Sequence, residues 1–296
     1  MYPFLNPLKL EDFNQKTEFL IDGFIPKHLI TMIYADGGMG KSWLAMAIAK
    51  FAEINGMNAI YLDYDNPMNV LKERGIETKL IQVCPNLHYS HRSKTELQPL
   101  AMLQAIEDNA SGNNYNNTLF VIDSLRDFGD VNNDGASMRL GEKLKNIREA
   151  GATIIVLHHS NKDGRNYQGS NNIRNSIDNM YLLTKTESPT GEIHFILTVK
   201  KERANIIDIA FKVKIDDLSL LTIDLQDARL NTEEKSFINE VKAALGKGLN
   251  LNKTDLLNTC GYEKTDKTAR DRLDQYQDIY WACSKVKGIY TYSLIQ

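Results

Sequence analysis

The chain has 296 residues, 25% of them charged and 42% hydrophobic, enough to bury one large core or one medium and one small. A formal net charge of −3 excludes a global basic field, so any nucleic-acid contact has to come from local patches. Cys84, Cys260 and Cys283 lack metal-ligand spacing and are odd in number, and no apolar run reaches membrane-spanning length, which points to a reducing cytoplasm without a membrane partner.

The amino-terminal segment 1–7 has no basic stretch followed by an apolar core, so no signal peptide is expected. Leu29 to Tyr34 is an apolar run that reads as a strand. It is followed by Ala35-Asp36-Gly37-Gly38-Met39-Gly40-Lys41-Ser42 and then by the helical pattern Trp43 to Ala49. Strand, glycine-rich turn and helix form the context of a phosphate-binding P-loop. The glycines let successive N–H groups turn inward on one anion, and the helix opening at Lys41 adds the positive end of its dipole. In this reading Ala35, Gly37, Gly38, Met39, Gly40, Lys41, Ser42 and Trp43 bind nucleotide, with Lys41 on the β- and γ-phosphates and the Ser42 hydroxyl on Mg²⁺. ATP and Mg²⁺ are the expected cofactors.

Asn58 to Asp63 reads as the next strand. In the acidic turn Tyr61-Leu62-Asp63-Tyr64-Asp65-Asn66-Pro67, Asp65 is the candidate that orients the attacking water, while a turn-forming role for these acids is equally open. A charged, poorly patterned stretch ends near Leu87 to Tyr89. A helix is expected from about Leu97 to Asn109, and a polar loop over 111–117 leads into the strand Leu119 to Asp123. A buried strand ending in an acid beside a P-loop places Asp123 where it can hold water on the metal. A helix over about 136–150, closed by Gly151, precedes the strand Thr153 to His158. His158 and His159 leave that strand as candidate phosphate sensors; zinc binding is disfavoured because no third ligand is suitably spaced, and a buried structural histidine remains open. The loop beyond carries Lys162, Arg165, Tyr167 and Arg174, which suit contact with single-stranded DNA, or simply a solvated loop.

From about Ser176 the runs Ile177 to Leu183, Ile193 to Val199, Ile207 to Val213 and Leu218 to Ile223 read as strands with short links, an antiparallel extension of the sheet. Lys201 and Arg203 project from one strand side and could act as fingers on a neighbouring subunit's nucleotide, or be an exposed basic strand end. The character changes near Leu230. Helices over Thr232 to Leu245, around Asp255 and over Lys267 to Tyr276 precede a hairpin from Ile279 to Leu294, turning at Val286-Lys287-Gly288; this is a winged-helix outline. Two domains, 1–228 and 229–296, are expected. The fold class is α/β: a doubly wound, mainly parallel sheet with an antiparallel extension, plus a small winged-helix-like module.

These motifs together resemble the RecA-like ATPases, and within them the RepA-type hexameric replicative DNA helicases of plasmids and phages. The resemblance runs over roughly 15–225. It begins with the lead-in Phe19 to Pro26 and takes in Ala35 to Ser42 as Walker A and Val121 to Arg126 as Walker B. It continues with His158-His159 as the paired sensor, Gly169-Ser170 with Ile173 and Asp178 as the close of the DNA loop, and Lys201-Glu202-Arg203 as the Lys-x-Arg finger. It implies a ring that binds ATP between subunits and pulls one DNA strand through its centre, with a replication initiator or a primase as further partners. One departure is that such proteins carry Glu where this chain has Asp65, whose shorter side chain holds water less well. The rival readings are a recombinase-like or regulatory RecA-family ATPase without unwinding activity, a DNA-binding initiator with structural nucleotide, and, more weakly, a small-molecule kinase.

Overall fold

The computed structural model describes residues 6–14, 16–248, 251–286 and 288–295, so most of segment 1–7, the Leu249-Asn250 lead-in and the turn position Lys287 lie outside the described residues. The chain divides into two compact units, Met1–Ala228 and Arg229–Gln296.

In the first unit a short antiparallel pair, β1 (Phe19–Ile21) and β2 (Ile25–Pro26), precedes β3 (Ile30–Ala35) and α1 (Lys41–Ile54). There follow β4 (Asn58–Asp63), α2 (Met68–Glu73), β5 (Leu87–His91), α3 (Pro99–Asp108), β6 (Thr118–Asp123), α4 (Asp134–Glu149), β7 (Thr153–His159) and α5 (Asn171–Ser176). The unit closes with β8 (Asn179–Thr186), β9 (Glu192–Lys201), β10 (Ile209–Lys214), β11 (Leu220–Ile223) and α6 (Leu225–Arg229). Nine strands form one sheet in the order β11-β10-β9-β8-β3-β7-β6-β4-β5. Pairing is parallel from β8 to β5 and antiparallel from β8 out to β11. This is a doubly wound, mainly parallel sheet with an antiparallel extension.

Alternation along β3 shows why both faces are covered. Ile30, Met32 and Tyr34 pack against Leu103 of α3 and Leu140, Leu144 and Ile147 of α4. Ile33 and Ala35 face α1, whose fully buried Ala45, Ala47, Ala49 and Ala52 let that helix lie close to the sheet. A strand buried on both faces reads as a continuous apolar run, as this one does. Each such side chain contributes about 1.5–3 kcal/mol of burial.

Element ends differ from the sequence expectation where a local hydrogen bond or ring decides them. The third helix starts at Pro99, a proline at its first position, rather than at Leu97. The fourth starts at Asp134, because the Asn133 side chain accepts from the Ala136 N–H. The eighth strand starts at Asn179, because the Ile177 N–H bonds back to Ile173 of α5. The poorly patterned stretch contains α2 and a π-helical turn (Glu77–Ile81) that bury Leu71, Ile76 and Leu80, and Leu87–His91 is a true strand on the sheet edge. These pieces are too short to display a period.

The second unit holds α7 (Thr232–Leu245), α8 (Lys253–Thr259), α9 (Lys267–Gln275) and the hairpin of β12 (Trp281–Val286) with β13 (Ile289–Leu294). A capping box between Asn231 and Glu234 starts α7. Phe237, Val241, Leu256, Leu273 and Trp281 form its core, with the Trp281 indole N–H donating to the Leu273 carbonyl at 3.0 Å. A bridge from Leu251 to Tyr292 ties the chain just before α8 to the hairpin. Exposed positions on α9 mix Lys267 with Asp271 and Asp274, and Arg270 and Arg272 are half-buried.

Candidate nucleotide site

β3, β4, β6 and β7 end at the same edge of the sheet, with Asp63 level with Asp123 and Ala35 level with His159. Ligands of open parallel sheets bind at this edge. Between β3 and α1 the loop turns through Gly38 (φ 75°) and Gly40 (φ 89°). A Cβ on Gly38 would meet nothing within 4 Å, so backbone conformation alone asks for glycine there; at Gly40 a Cβ would also come to 3.0 Å from the Phe195 ring. The first turn of α1 has no acidic residue and no side-chain cap, which leaves its N–H groups for an anion. Lys41 is buried, and its ammonium donates to the carbonyls of Ala35 (3.0 Å) and Asp36 (2.9 Å). Burial pulls its pKa down, opposed by Asp123 and Asp65. Ala35 thus contributes its carbonyl, since its side chain lies in the core.

Above this loop a cavity of about 260 Å³ is lined by Gly37, Gly38 and Gly40 to Trp43, by Asp65, Asn66, Arg74 and Asp123, and by His159, Lys185 and Ile193. Clefts of about 550 Å³ beside β5 and about 560 Å³ at the opposite sheet edge are larger, but neither has a P-loop. An uncapped helix start, a buried cation and open space at Gly37 and Gly38 fit a polyphosphate.

Asp123 is buried and hydrogen-bonds Ser42; its Oδ2 also accepts from the Tyr61 hydroxyl at 2.8 Å. Burial, then the neighbouring Asp63, pushes it up to about 6, so it is ionised at neutral pH. Asp63, the last residue of β4, is equally buried and accepts from the Tyr89 hydroxyl at 2.5 Å. The two tyrosine rings stack 4.8 Å apart, and burial raises both hydroxyl pKa values. Ser42 and Asp123 are oxygen donors suited to Mg²⁺, which in phosphate sites needs only one or two carboxylates beside the phosphates. Among the described residues no three His, Cys, Asp or Glu side chains gather as a metal site. Asp65 lines the cavity, but its Oδ1 is paired with Arg126 at 2.8 Å.

The two histidines divide in role. His158 is wholly buried and its Nε2 donates to the Gln168 carbonyl at 2.6 Å; burial holds its pKa down to about 4, so the ring is neutral and Nδ1 carries no proton. His159 lines the cavity with a buried Nε2 that has no partner, and burial, with Lys41 and Arg126 nearby, lowers its pKa too. In the loop that follows, Lys162 and Arg165 are exposed. Tyr167 is not free to stack on a base: its ring sits edge-on to Tyr34 at 6.2 Å and its hydroxyl donates to Asn171 at 3.2 Å. Arg174 lies on α5 and donates to the Lys200 carbonyl at 3.3 Å.

Lys201 and Arg203 lie elsewhere. The strand ends at Lys201, so Arg203 falls in the bend beyond it rather than on the same strand side. The Lys201 ammonium donates to the carbonyls of Arg174 (2.5 Å) and Ile177 (2.6 Å). Arg203 is half exposed and pairs at 2.8 Å with Asp178, a buried carboxylate that also takes Arg148 at 3.0 Å and the Ile30 N–H at 2.9 Å. Ile30 begins β3 and Ala35 ends it, so this cluster is about 17 Å along the strand from the P-loop. Sequence reasoning missed Tyr61, Asn66, Arg74, Tyr89 and Lys185 at the nucleotide edge, and Arg148 at the other. Only Asn66, next to Pro67 in the acidic turn, carried a local signal.

No protein of curated function matches the chain. Among solved structures it is similar to flagellar accessory protein FlaH from Methanocaldococcus jannaschii, at 17% identity and a TM-score of 0.47 over 68% of this chain and 91% of that one. The pattern of the AAA domain family matches residues 8–165, just over half of the chain. With its P-loop, its buried lysine and its strand-end acid on one sheet edge, the chain belongs to the AAA domain family and is a P-loop ATPase.

Proposed function

We propose that this ATPase is a DNA motor: a cytoplasmic ring, hexameric as in the replicative helicases that its motifs resemble, hydrolysing ATP at subunit seams and moving along single-stranded DNA. The observation that carries this reading is the distance of Arg203 from its own P-loop, a full strand length away yet half exposed. A cation so placed is out of reach of its own nucleotide, and its exposed side suits it to the nucleotide of another copy, as an arginine finger does.

In this reading Lys41 and the P-loop amides hold the phosphates, and Ser42 and Asp123 hold Mg²⁺, which neutralises charge on the transferred phosphoryl group. Asp65 orients the attacking water. The neighbour's Lys201 and Arg203 complete the seam. His159 meets the γ-phosphate side, and His158, bonded to Gln168, passes the change into the loop where Lys162 and Arg165 grip DNA, with Arg174 at its base. A replication initiator or a primase would load or use such a ring. Purified protein with an ATP analogue and single-stranded DNA is expected to form closed oligomers, with turnover stimulated by the DNA. Strictly monomeric protein whose turnover ignores oligonucleotides would end this reading.

One observation favours a second reading, a recombinase-like or regulatory ATPase that does not unwind: the short Asp65 side chain is tied to Arg126, which slows water activation. A strand-displacement assay separates the two.

A further inference from the structure

Asn66 stands where the groups of the metal site converge. Its side-chain amide nitrogen donates to Asp123 Oδ2 at 3.1 Å and to Asp63 Oδ1 at 3.1 Å, and lies 3.5 Å from Ser42 Oγ. Its amide oxygen accepts from Arg74 Nη1 at 3.1 Å. Its main chain is fixed on both sides, the N–H donating to Asp63 Oδ1 at 3.0 Å and the carbonyl accepting from His91 Nε2 at 2.8 Å. The partners decide which way the amide points. Carboxylates only accept and a guanidinium only donates, so the reverse orientation would set oxygen against oxygen and donor against donor.

An N–H donor in this position uses the lone pairs of Asp123 and Ser42 that a cation would need. Two buried carboxylates side by side repel, and without a cation something must lie between them. We propose that Asn66 is a positioning residue that stands in for the cation in the metal-free protein: its amide bridges Asp63 and Asp123 and withdraws when Mg²⁺ enters, releasing Arg74. This rests on the nucleotide reading of the site. Turning the amide to offer its oxygen to the cation side brings its N–H groups against Arg74, so Arg74 has to leave. The Arg74 guanidinium lies 5.5 Å over the Trp43 ring, and both residues line the nucleotide cavity. The exchange therefore frees a cation beside the phosphates and changes the surroundings of Trp43. Asn66 delays metal entry, and in return keeps the two acids apart and ordered until the metal arrives.

The test is Mg²⁺ titration of the full chain saturated with ADP, followed by calorimetry and by tryptophan fluorescence. ADP affinity in EDTA is the reference, and Trp43→Phe identifies the Trp43 signal against Trp281. Giving up hydrogen bonds to two charged acceptors costs the cation affinity, so Asn66→Ala is expected to bind Mg²⁺ roughly tenfold more tightly than the wild type. The gain appears in the Mg²⁺ arm and not in EDTA, and the Mg²⁺-dependent Trp43 change shrinks because Arg74 is already released. Arg74→Ala removes a guanidinium that is paired with neither acid; it loosens the amide from its other side and is expected to tighten Mg²⁺ about threefold, which keeps the proposal testable if Asn66→Ala does not fold. If ADP binds in EDTA and both variants bind Mg²⁺ no more tightly than the wild type, the amide is only structural and the proposal is wrong. If ADP binds under neither condition, the nucleotide reading falls and takes the proposal with it.

Discussion

The two edges of the central sheet carry the same kinds of charge in opposite states. At the P-loop edge the buried charges meet neutral groups: Lys41 rests on backbone carbonyls, Asp63 and Asp123 take tyrosine hydroxyls and share one amide, and His159 keeps a buried nitrogen without a partner. At the other edge the buried carboxylate has counter-ions: Asp178 is paired with Arg148 and Arg203 and takes a backbone N–H. Charge that is desolvated without a counter-ion is costly, and such arrangements cluster where a ligand completes them. Charge that is fully paired is held in place and can be presented to something outside. On the proposed reading one edge receives an anion and a cation and the other offers a cation, each being half of a site shared between two copies.

The largest effect should come from the receiving edge. Lys41→Ala removes the only buried cation of the P-loop and is expected to lower ATP turnover by about 10⁴-fold with loss of nucleotide affinity, read by steady-state hydrolysis and ADP titration. Arg203→Ala acts on the offering edge. It should lower turnover by about 10²- to 10³-fold and leave ATP affinity within about threefold of the wild type. Mixing the two variants sharpens the comparison. A seam that pairs the intact P-loop of an Arg203→Ala subunit with the intact finger of a Lys41→Ala subunit is complete, so mixed oligomers should regain turnover that neither variant has alone. Unchanged hydrolysis in Arg203→Ala, or no recovery on mixing, breaks the assignment of the two edges to one shared site.

A smaller effect lies in the response to acid, and its sign differs between two groups at the receiving edge. His158 titrates near 4 in the folded chain against an ordinary 6.5. As pH falls from 6.5 toward 4 the unfolded chain takes up a proton that folded His158 refuses, so stability is lost. Asp123 titrates near 6 against an ordinary 3.8. As pH falls from 6 toward 4 the folded chain takes up the proton first, so stability is gained. Each contribution amounts to about 3 kcal/mol over its range, and in the wild type they oppose. Thermal denaturation at pH 7, 6 and 5 should show His158→Gln gaining stability relative to the wild type on acidification, and Asp123→Asn losing it. Parallel pH profiles for all three proteins would show that neither shift exists.

The sequence made the receiving edge legible because its parts are local. A strand, a glycine-rich turn and a helix lie consecutively, and an apolar run ends in Asp123, so chemistry and spacing are readable without contacts. Tyr89, which caps Asp63, and Lys185, which enters the cavity from the antiparallel extension, are separated from the P-loop by long stretches of chain, and pairing of strands alone brings them there. The offering edge was visible as Lys201 and Arg203 but not as a cluster. Its anchor Asp178 gains meaning only when β8 lies beside β3 and α4 brings Arg148. Tyr167 shows the opposite failure. An aromatic in a basic loop suggests stacking on a base, yet its ring is used against Tyr34.

The smallest predicted effect concerns the support of the offering edge. Gly141 of α4 faces Ser176, the last residue of α5, and a Cβ added there would lie 2.1 Å from Ser176 Oγ and 2.5 Å from its Cβ. Rotating the hydroxyl relieves the first clash but not the second, so α5 has to move off α4. The carbonyls of Arg174 and Ile177, which hold Lys201, move with it. Gly141→Ala should therefore cost about 1–3 kcal/mol, lowering the melting temperature by several degrees, while ADP affinity at the far edge stays unchanged. Adding Ser176→Gly deletes the clashing Cβ and should return most of the loss. If Gly141→Ala melts with the wild type, the two helices are not in tight contact. If it lowers ADP affinity as well, the two edges are mechanically coupled within one subunit, and the finger then responds to its own nucleotide as well as to its neighbour's.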